Sequence, residues 1–295
     1  MKRIFFVLTI IAGLLSADRL LAQDILKKEP KKDHKHDILT ISNKGIKIEQ
    51  GDSTHKHVLE NQEENQFTSS FLLFDLGVNM LQDNTNYLAT VNSLLPPGPG
   101  ATFGTTGRNM FDLRTAKSIN VNIYPFMEKF RALKTPGQRI YVSAGLGLQI
   151  YNFRFENATI FTRNPTYIFV DNSKTFKKNK LAVNYLSVPL MLTFKTRLHK
   201  DPGGKSKKDT WLVYGAGITE GLRLNSWTKQ KSDVFGKVKV HDQFGLADFN
   251  TCVTAEFGVE GIIRFFASYQ LTNLYQTSMG LDQHPFSVGI RLSGI

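Results

Sequence analysis

The sequence predicts an all-β protein: an eight-stranded antiparallel up-and-down transmembrane β-barrel preceded by a flexible N-terminal periplasmic extension. Three observations carry this expectation. Apolar–polar alternation recurs in eight segments between Phe67 and Ile295, the period of a strand with two unlike faces. The connectors between those segments alternate between long and short. The chain opens with MKRIFFVLTIIAGLLSADRLLAQ, a secretory leader by pattern.

The leader has basic residues at Lys2 and Arg3, an apolar run from Ile4 to Leu15, and small residues at Ser16, Ala17 and Ala22. This is the order of a signal peptide. The run is shorter than the roughly 20 apolar residues a spanning helix needs. Cleavage falls after Ala17 or near Ala22-Gln23, and the second is the reading adopted. No cysteine stands near either site to carry a lipid anchor. Residues 1–22 are thus assigned to the signal, 23–66 to a periplasmic segment and 67–295 to the barrel.

Residues 24–66 are polar and charged, and such composition cannot bury a core. Within them DILTISNKGIKIE alternates around Asn43-Lys44-Gly45, which fits a short hairpin with Gly45 taking a positive φ, but a disordered tether is the preferred reading. His34-Lys-His36 and His55-Lys-His57 are two pairs that would share a metal if held on a strand. No scaffold supports them, and a solvated linker is the preferred reading. A single cysteine, Cys252, excludes an intramolecular disulfide.

The eight segments follow in order. FLLFDLGVNM sets Leu72, Phe74, Leu76, Val78 and Met80 against Asp75, Gly77 and Asn79. KSINVNIYPF and RIYVSAGLGLQIY oppose aliphatics to Asn, Ser, Gly and Gln. YLSVPLMLTF carries Pro189 in mid-strand. A proline removes a ladder hydrogen bond, so a local bulge is expected there. WLVYGAGITEG reaches Glu220, where the strand is expected to leave the apolar zone. FNTCVTAEFGV, IIRFFASYQLT and FSVGIRLSGI complete the set. MEKFRAL at 127–133 reads as a connector or a helical turn.

The polar faces are rich in Gly, Ser, Asn and Thr rather than Lys and Glu. Such residues fit the crowded interior of a narrow ring. Aromatics near strand ends (Tyr124, Phe126, Tyr151, Phe153, Phe249 and Phe286) are expected to form interfacial girdles. Connectors at 82–108, 157–180 and 226–246 are long; those at 127–138, 199–209 and 258–261 are short. Long external loops alternating with short periplasmic turns describe an outer-membrane barrel. A soluble lipocalin-like barrel, with its apolar face inside, is the alternative.

Alternation aims Asp75, Lys195, Arg223, Glu256, Arg264 and Arg291 into the interior. Lone charges there are costly, so a lumen charge network is expected, with Arg264 beside Glu256. A charged eyelet for solutes is the functional alternative. Lys174, Lys177, Lys178 and Lys180 lie in a long loop, where they either meet lipopolysaccharide phosphates or stay solvated. The net charge of +12 favours anionic partners, and export makes nucleic acid the least suited of them. Among hydrolytic candidates, His241 and His284 stand with Ser226, Ser232 and Ser278, but nucleophilic catalysis needs hydrogen-bond contact. No phosphate loop, zinc spacing or nucleotide motif is present, so no cofactor, no metal site and no enzyme activity are expected.

From about Phe67 onward, FDLGVN, KSINVNIYP, YVSAGLGLQIY, YLSVPLMLTF and FSVGIRL together resemble the small Gram-negative outer-membrane barrels called PorT-like or "porin family", with OmpX- and OmpA-type architecture. YLSVPL is the most specific of these pieces. The resemblance implies an eight-stranded barrel in the outer membrane and no catalytic residues. A structural, envelope-interaction or secretion-associated role is expected, the last from the resemblance alone, with outer-membrane lipid, lipopolysaccharide and other envelope proteins as partners. A small diffusion channel is the alternative. Many such barrels end in an aromatic residue, whereas this chain ends Leu292-Ser-Gly-Ile295.

If residues 24–66 are only a tether, deleting them leaves insertion of the remaining chain and its cellular phenotype unchanged. Fractionation of the deletion strain checks this, and loss of insertion would give the segment an active role.

Overall fold

The computed structural model describes residues 37–42, 45–50, 66–94, 104–199, 210–234 and 236–292. The leader, both His-Lys-His pairs and most of the basic 199–209 turn lie outside these residues. The chain divides into two units, 1–64 and 65–295. In the first, β1 (Asp37–Ser42) pairs antiparallel with β2 (Gly45–Gln50), Asp37 opposite Gln50 and Ser42 opposite Gly45. These two strands span the alternating stretch read from the sequence, where a tether is the preferred expectation.

The second unit is an antiparallel sheet closed into a ring of eight strands. In chain order they are β3 (Phe67–Asp83), β5 (Ile119–Lys134), β6 (Gln138–Arg154), β9 (Lys178–His199), β10 (Thr210–Ser232), β12 (Phe249–Val259), β13 (Ile263–Gln270) and β14 (Gln283–Leu292). Each pairs with its sequence neighbours in the ring, and β14 pairs with β3 to close it. All eight contain the alternating segments read from the sequence.

The two faces are sorted with the polar side inward. Asp75, Asn79, Asn120, Asn122, Gln149, Ser187, Asn250, Thr254 and Ser287 are buried, while Leu76, Leu148, Leu190, Leu192, Ile218, Phe257 and Phe265 are exposed. Large side chains that water would bury thus form the outer surface. Glu220 stands on that outer face between Ile218 and Leu222, and Thr251 Oγ1 donates to its carboxylate at 3.0 Å. The expectation that the strand leaves the apolar zone at Glu220 is corrected: Leu222 and Leu224 continue the exposed apolar face beyond it, and β10 runs on to Ser232.

Several local expectations change. Pro189 lies opposite Thr219 of β10 with no bulge, in a register that stays constant on both sides. The ladder to β6 instead lapses where Gly145 and Leu146 face Pro189 and Val188, so the missing proline donor is absorbed by a gap. A bulge occurs at Pro125, where Tyr124 and Pro125 of β5 oppose Gly147 of β6. Tyr124 continues the inner face of Asn120 and Asn122 at 3% exposure, a Cβ on Gly147 would stand 2.4 Å from its ring, and beyond the bulge Phe126 faces out and Met127 in. Tyr124, Tyr151 and Phe153 are therefore interior residues rather than girdle residues. Residues 127–133 are strand, not connector or helix, because β5 continues to Lys134 and turns only at 135–137.

At the long-connector end the loops are structured. They contain α1 (Tyr87–Leu94) and a small sheet of β4 (Gly104–Thr105), β7 (Thr159–Phe161) and β8 (Ile168–Asp171) in the order β4-β8-β7. β11 (Gly236–His241) extends the main sheet beside β10. Among the described residues no helix is long and apolar enough to cross a membrane.

Where β14 crosses β3, Gly289 faces Gly77, and a Cβ on Gly289 would stand 2.1 Å from Leu76 O and 2.4 Å from Gly77 Cα. Gly289→Ala is expected to destabilise the ring by about 1–3 kcal/mol through overpacking. Gly137→Ala, with open space around it, serves as the neutral control, and urea unfolding in detergent compares the two.

Candidate functional site

The interior charges converge on one arginine. Arg291 of β14 and Asp75 of β3 are direct cross-strand partners. Arg291 Nε donates to Asp75 Oδ1 at 2.7 Å and Nη2 to Oδ2 at 2.8 Å, a bidentate fork. Its Nη1 donates to Glu256 Oε2 at 3.0 Å. Glu256 also accepts from Thr193 Oγ1 at 2.8 Å and from Arg264 Nη1 at 3.4 Å. Asn122 Nδ2 donates to Asp75 Oδ2 at 3.4 Å. Two arginines and two carboxylates form a neutral cluster, with Asp75 fully buried. Its partners come from β3, β5, β9, β12, β13 and β14.

The other two predicted lumen charges lie in separate pairs. Lys195 Nζ meets Glu260 Oε1 at 2.5 Å and sits 5.2 Å from the centre of the Tyr141 ring. Arg223 Nη2 meets Asp248 Oδ1 at 2.5 Å, and its Nε donates to Ala247 O. Alternation places all six side chains inward but carries no information on height along the ring. Thr193 and Asn122 escaped prediction because Thr and Asn recur along every inner face. Asp248 and Glu260 escaped because they stand just outside strands, where alternation says nothing.

Toward the short-turn end the cluster faces a cavity of about 310 Å3, lined by Lys129, Lys195, Glu260, Arg264, Tyr141 and Thr68 among others. Toward the long-connector end the next inner layer is uncharged. Ser287 Oγ donates to Asn79 Oδ1 at 2.7 Å, Asn250 Nδ2 to Gln149 Oε1 at 3.2 Å, and Thr254 Oγ1 to Ser268 Oγ at 3.2 Å. Tyr151, Tyr185 and buried Cys252 follow; Tyr151 Oη lies 3.7 Å from the Cys252 sulfur.

Beyond them the connectors fold into an apolar cap. Leu94, Met110, Phe111, Phe155, Phe161, Ile168, Phe244, Leu246, Leu274, Tyr275 and Leu281 share one buried cluster with Tyr151, Phe153 and Tyr185 of the strands. α1 is tied to the end of β3 by Tyr87, whose hydroxyl donates to Asp83 Oδ2 at 2.5 Å. Burial, with that hydrogen bond and the Asp83 charge, pushes the Tyr87 hydroxyl well above its ordinary range. It therefore stays a neutral donor.

The hydrolytic candidates do not assemble with Ser226. Its hydroxyl donates to Asp242 O. The His284 ring lies between Gln270 O and Asp282 Oδ1, each at 3.0 Å, and His241 packs against Trp227. Among the described residues no group of three or more His, Cys, Asp or Glu side chains could hold a metal. Of the loop lysines, Lys174 pairs with Asp171 at 2.7 Å and Lys177 with Asp233 at 2.6 Å; Lys178 and Lys180 stand on β9.

No family model matches the chain, and no curated protein sequence matches it. The interior cluster and the two faces of the ring therefore carry the functional argument.

Arg291→Met leaves Asp75 buried without its fork, and a loss of about 3–5 kcal/mol is expected. Removing both charges, in Asp75→Asn with Arg291→Gln, is expected to restore part of that loss. Urea unfolding midpoints of the three proteins in detergent check the order.

Proposed function

We propose that this chain is a non-enzymatic outer-membrane β-barrel protein: a plugged ring that anchors a folded external cap, with a structural, envelope-interaction or secretion-associated role. The observation that carries this reading is the outward apolar belt. Leu190, Leu192, Ile218, Phe257 and Phe265 expose from 42% to 57% of their surface. Transfer of such surface out of water is worth roughly 25 cal/mol per Å2, which makes the belt costly in water and favourable in lipid. A closed ring leaves no unpaired sheet edge in hydrocarbon. A soluble ligand-binding barrel would place this face inside, where the chain has Asn, Ser, Thr and a charge cluster. The half-buried Glu220 carboxylate on the outer face lies toward the long-connector end of the belt, where charge is better tolerated than at the midplane.

The channel reading is weaker on two counts. The Arg291 cluster crosses the interior, and the apolar cap covers its long-connector end. In this reading the cap faces outward and the short turns face the periplasm. A secretion-associated role rests on the resemblance to PorT-like barrels alone.

The test is gel migration of the outer-membrane fraction, boiled against unboiled, followed by planar-bilayer conductance of the purified protein. A mobility shift with no steady conductance is the expected result. Recovery in the soluble periplasm with no shift would overturn the membrane reading, and steady ion-selective openings would favour the channel.

A further inference from the structure

The outer surface carries a second pattern just beyond the apolar belt. The Arg223/Asn225 bulge in β10 reverses which residues face out, so Trp227, Lys229 and Lys231 join the belt face. Cross-strand register then builds rows that run across neighbouring strands. Leu148, Leu186 and Leu222 make the last leucine row. Two rows farther out stand Asn152, Ala182, Trp227 and His241. The next row is Arg154, Lys180, Lys229 and Lys239, one cation from each of β6, β9, β10 and β11. The row after it is Lys178, Lys231 and Lys237.

Neighbouring strands lie about 4.8 Å apart, so the cations of a row are close neighbours. Like charges directly opposite one another destabilise a sheet, yet here seven occupy consecutive rows. None of the seven lies within ion-pair distance of a carboxylate among the described residues. The acidic loop residues Asp171 and Asp233 pair with Lys174 and Lys177. Lys180 Nζ has only the neutral Asn152 amide oxygen, at 2.5 Å, and Lys239 Nζ sits 4.4 Å from the centre of the Trp227 ring. Both rows lie beyond the belt. Burial and then the neighbouring cations hold the Lys180 ammonium below its ordinary pKa, and Lys237 above all does so for Lys229.

We propose that these two rows bind the phosphates of a multiply phosphorylated lipid headgroup, of the lipid A type, in the leaflet around the cap end of the ring. The inference rests on the membrane reading above and gives it a lipid class and an address. The cations share the face that would meet acyl chains and stand six and eight residues along β9 beyond Leu186, where headgroups would meet the outer surface. Trp227 lies between leucines and lysines, where an interfacial aromatic belongs. A headgroup with one phosphate leaves most of the array unneutralised, whereas one with several phosphates can span both rows with charge-assisted hydrogen bonds.

The experiment uses the purified full-length protein in neutral detergent, with thermal unfolding followed while diphosphorylated lipid A is added. Comparison ligands are monophosphorylated lipid A, phosphatidylglycerol and inorganic phosphate. Diphosphorylated lipid A is expected to raise Tm most, as a ligand of the folded state does, with an effect that salt weakens. Lys180→Gln/Lys229→Gln/Lys239→Gln is expected to bind it roughly tenfold more weakly. The triple Lys178→Gln/Lys231→Gln/Lys237→Gln tests the other row independently. An unchanged response in both triples, or an equal response to inorganic phosphate, overturns the proposal. Heat-shifted migration of the same preparations keeps the two readings apart. A protein that shifts but ignores the lipid refutes the lipid site alone, and one that is soluble and does not shift refutes the membrane reading.

Discussion

The ring closes where Arg291 of the last strand meets Asp75 of the first, across a separation of 216 residues. Backbone pairing of β14 with β3 brings these side chains together, and their fork in turn specifies that register. A slip of one residue would send Arg291 to the apolar outer surface and leave Asp75 alone. The same guanidinium holds Glu256 of β12, which accepts from Thr193 of β9 and from Arg264 of β13. Charges that would each be expensive inside a narrow ring become mutually necessary.

Two kinds of packing coexist in one chain. In the ring the interior is held by hydrogen bonds between Asn, Ser, Thr and Gln, and the aliphatic side chains lie outside. In the cap the order is the usual one for water, with Phe244, Leu246, Ile168 and Met110 fully buried. Tyr151, Phe153 and Tyr185 join the two regions, because they belong to ring strands yet lie in the cap's cluster. The change of organisation along the strands is a physical marker of the level at which an apolar surrounding would give way to water. The basic rows begin at that level on the outer face.

Much of this was legible in the residues, and particular ones show why. The two-residue period located all eight ring strands, since each has one face that must differ from the other. It also aimed Asp75, Glu256, Arg264 and Arg291 inward. It erred where the period breaks. At Pro125 a bulge keeps Phe126 outside and turns Met127 inward, and nothing local marks that position as different from Pro189. MEKFRAL reads as a connector because its charges hide the continuation of β5. The cap was read as loops because its apolar residues, such as Met110, Phe244 and Leu274, are scattered among polar ones and meet only through non-local contacts.

The sequence by itself determined the class of structure and which residues share a face, because alternation is a local property of an extended backbone. It also determined that the polar faces are made of small residues able to line a narrow space. Only the tertiary structure decided the height of each inner residue, the partners of Lys195 and Arg223, and the fact that the aliphatic face points outward. It also decided that lysines from three strands and one arginine fall into two rows. Those properties depend on register between strands far apart in the chain, which closure of the ring and the bulges at Pro125 and Leu224 set together.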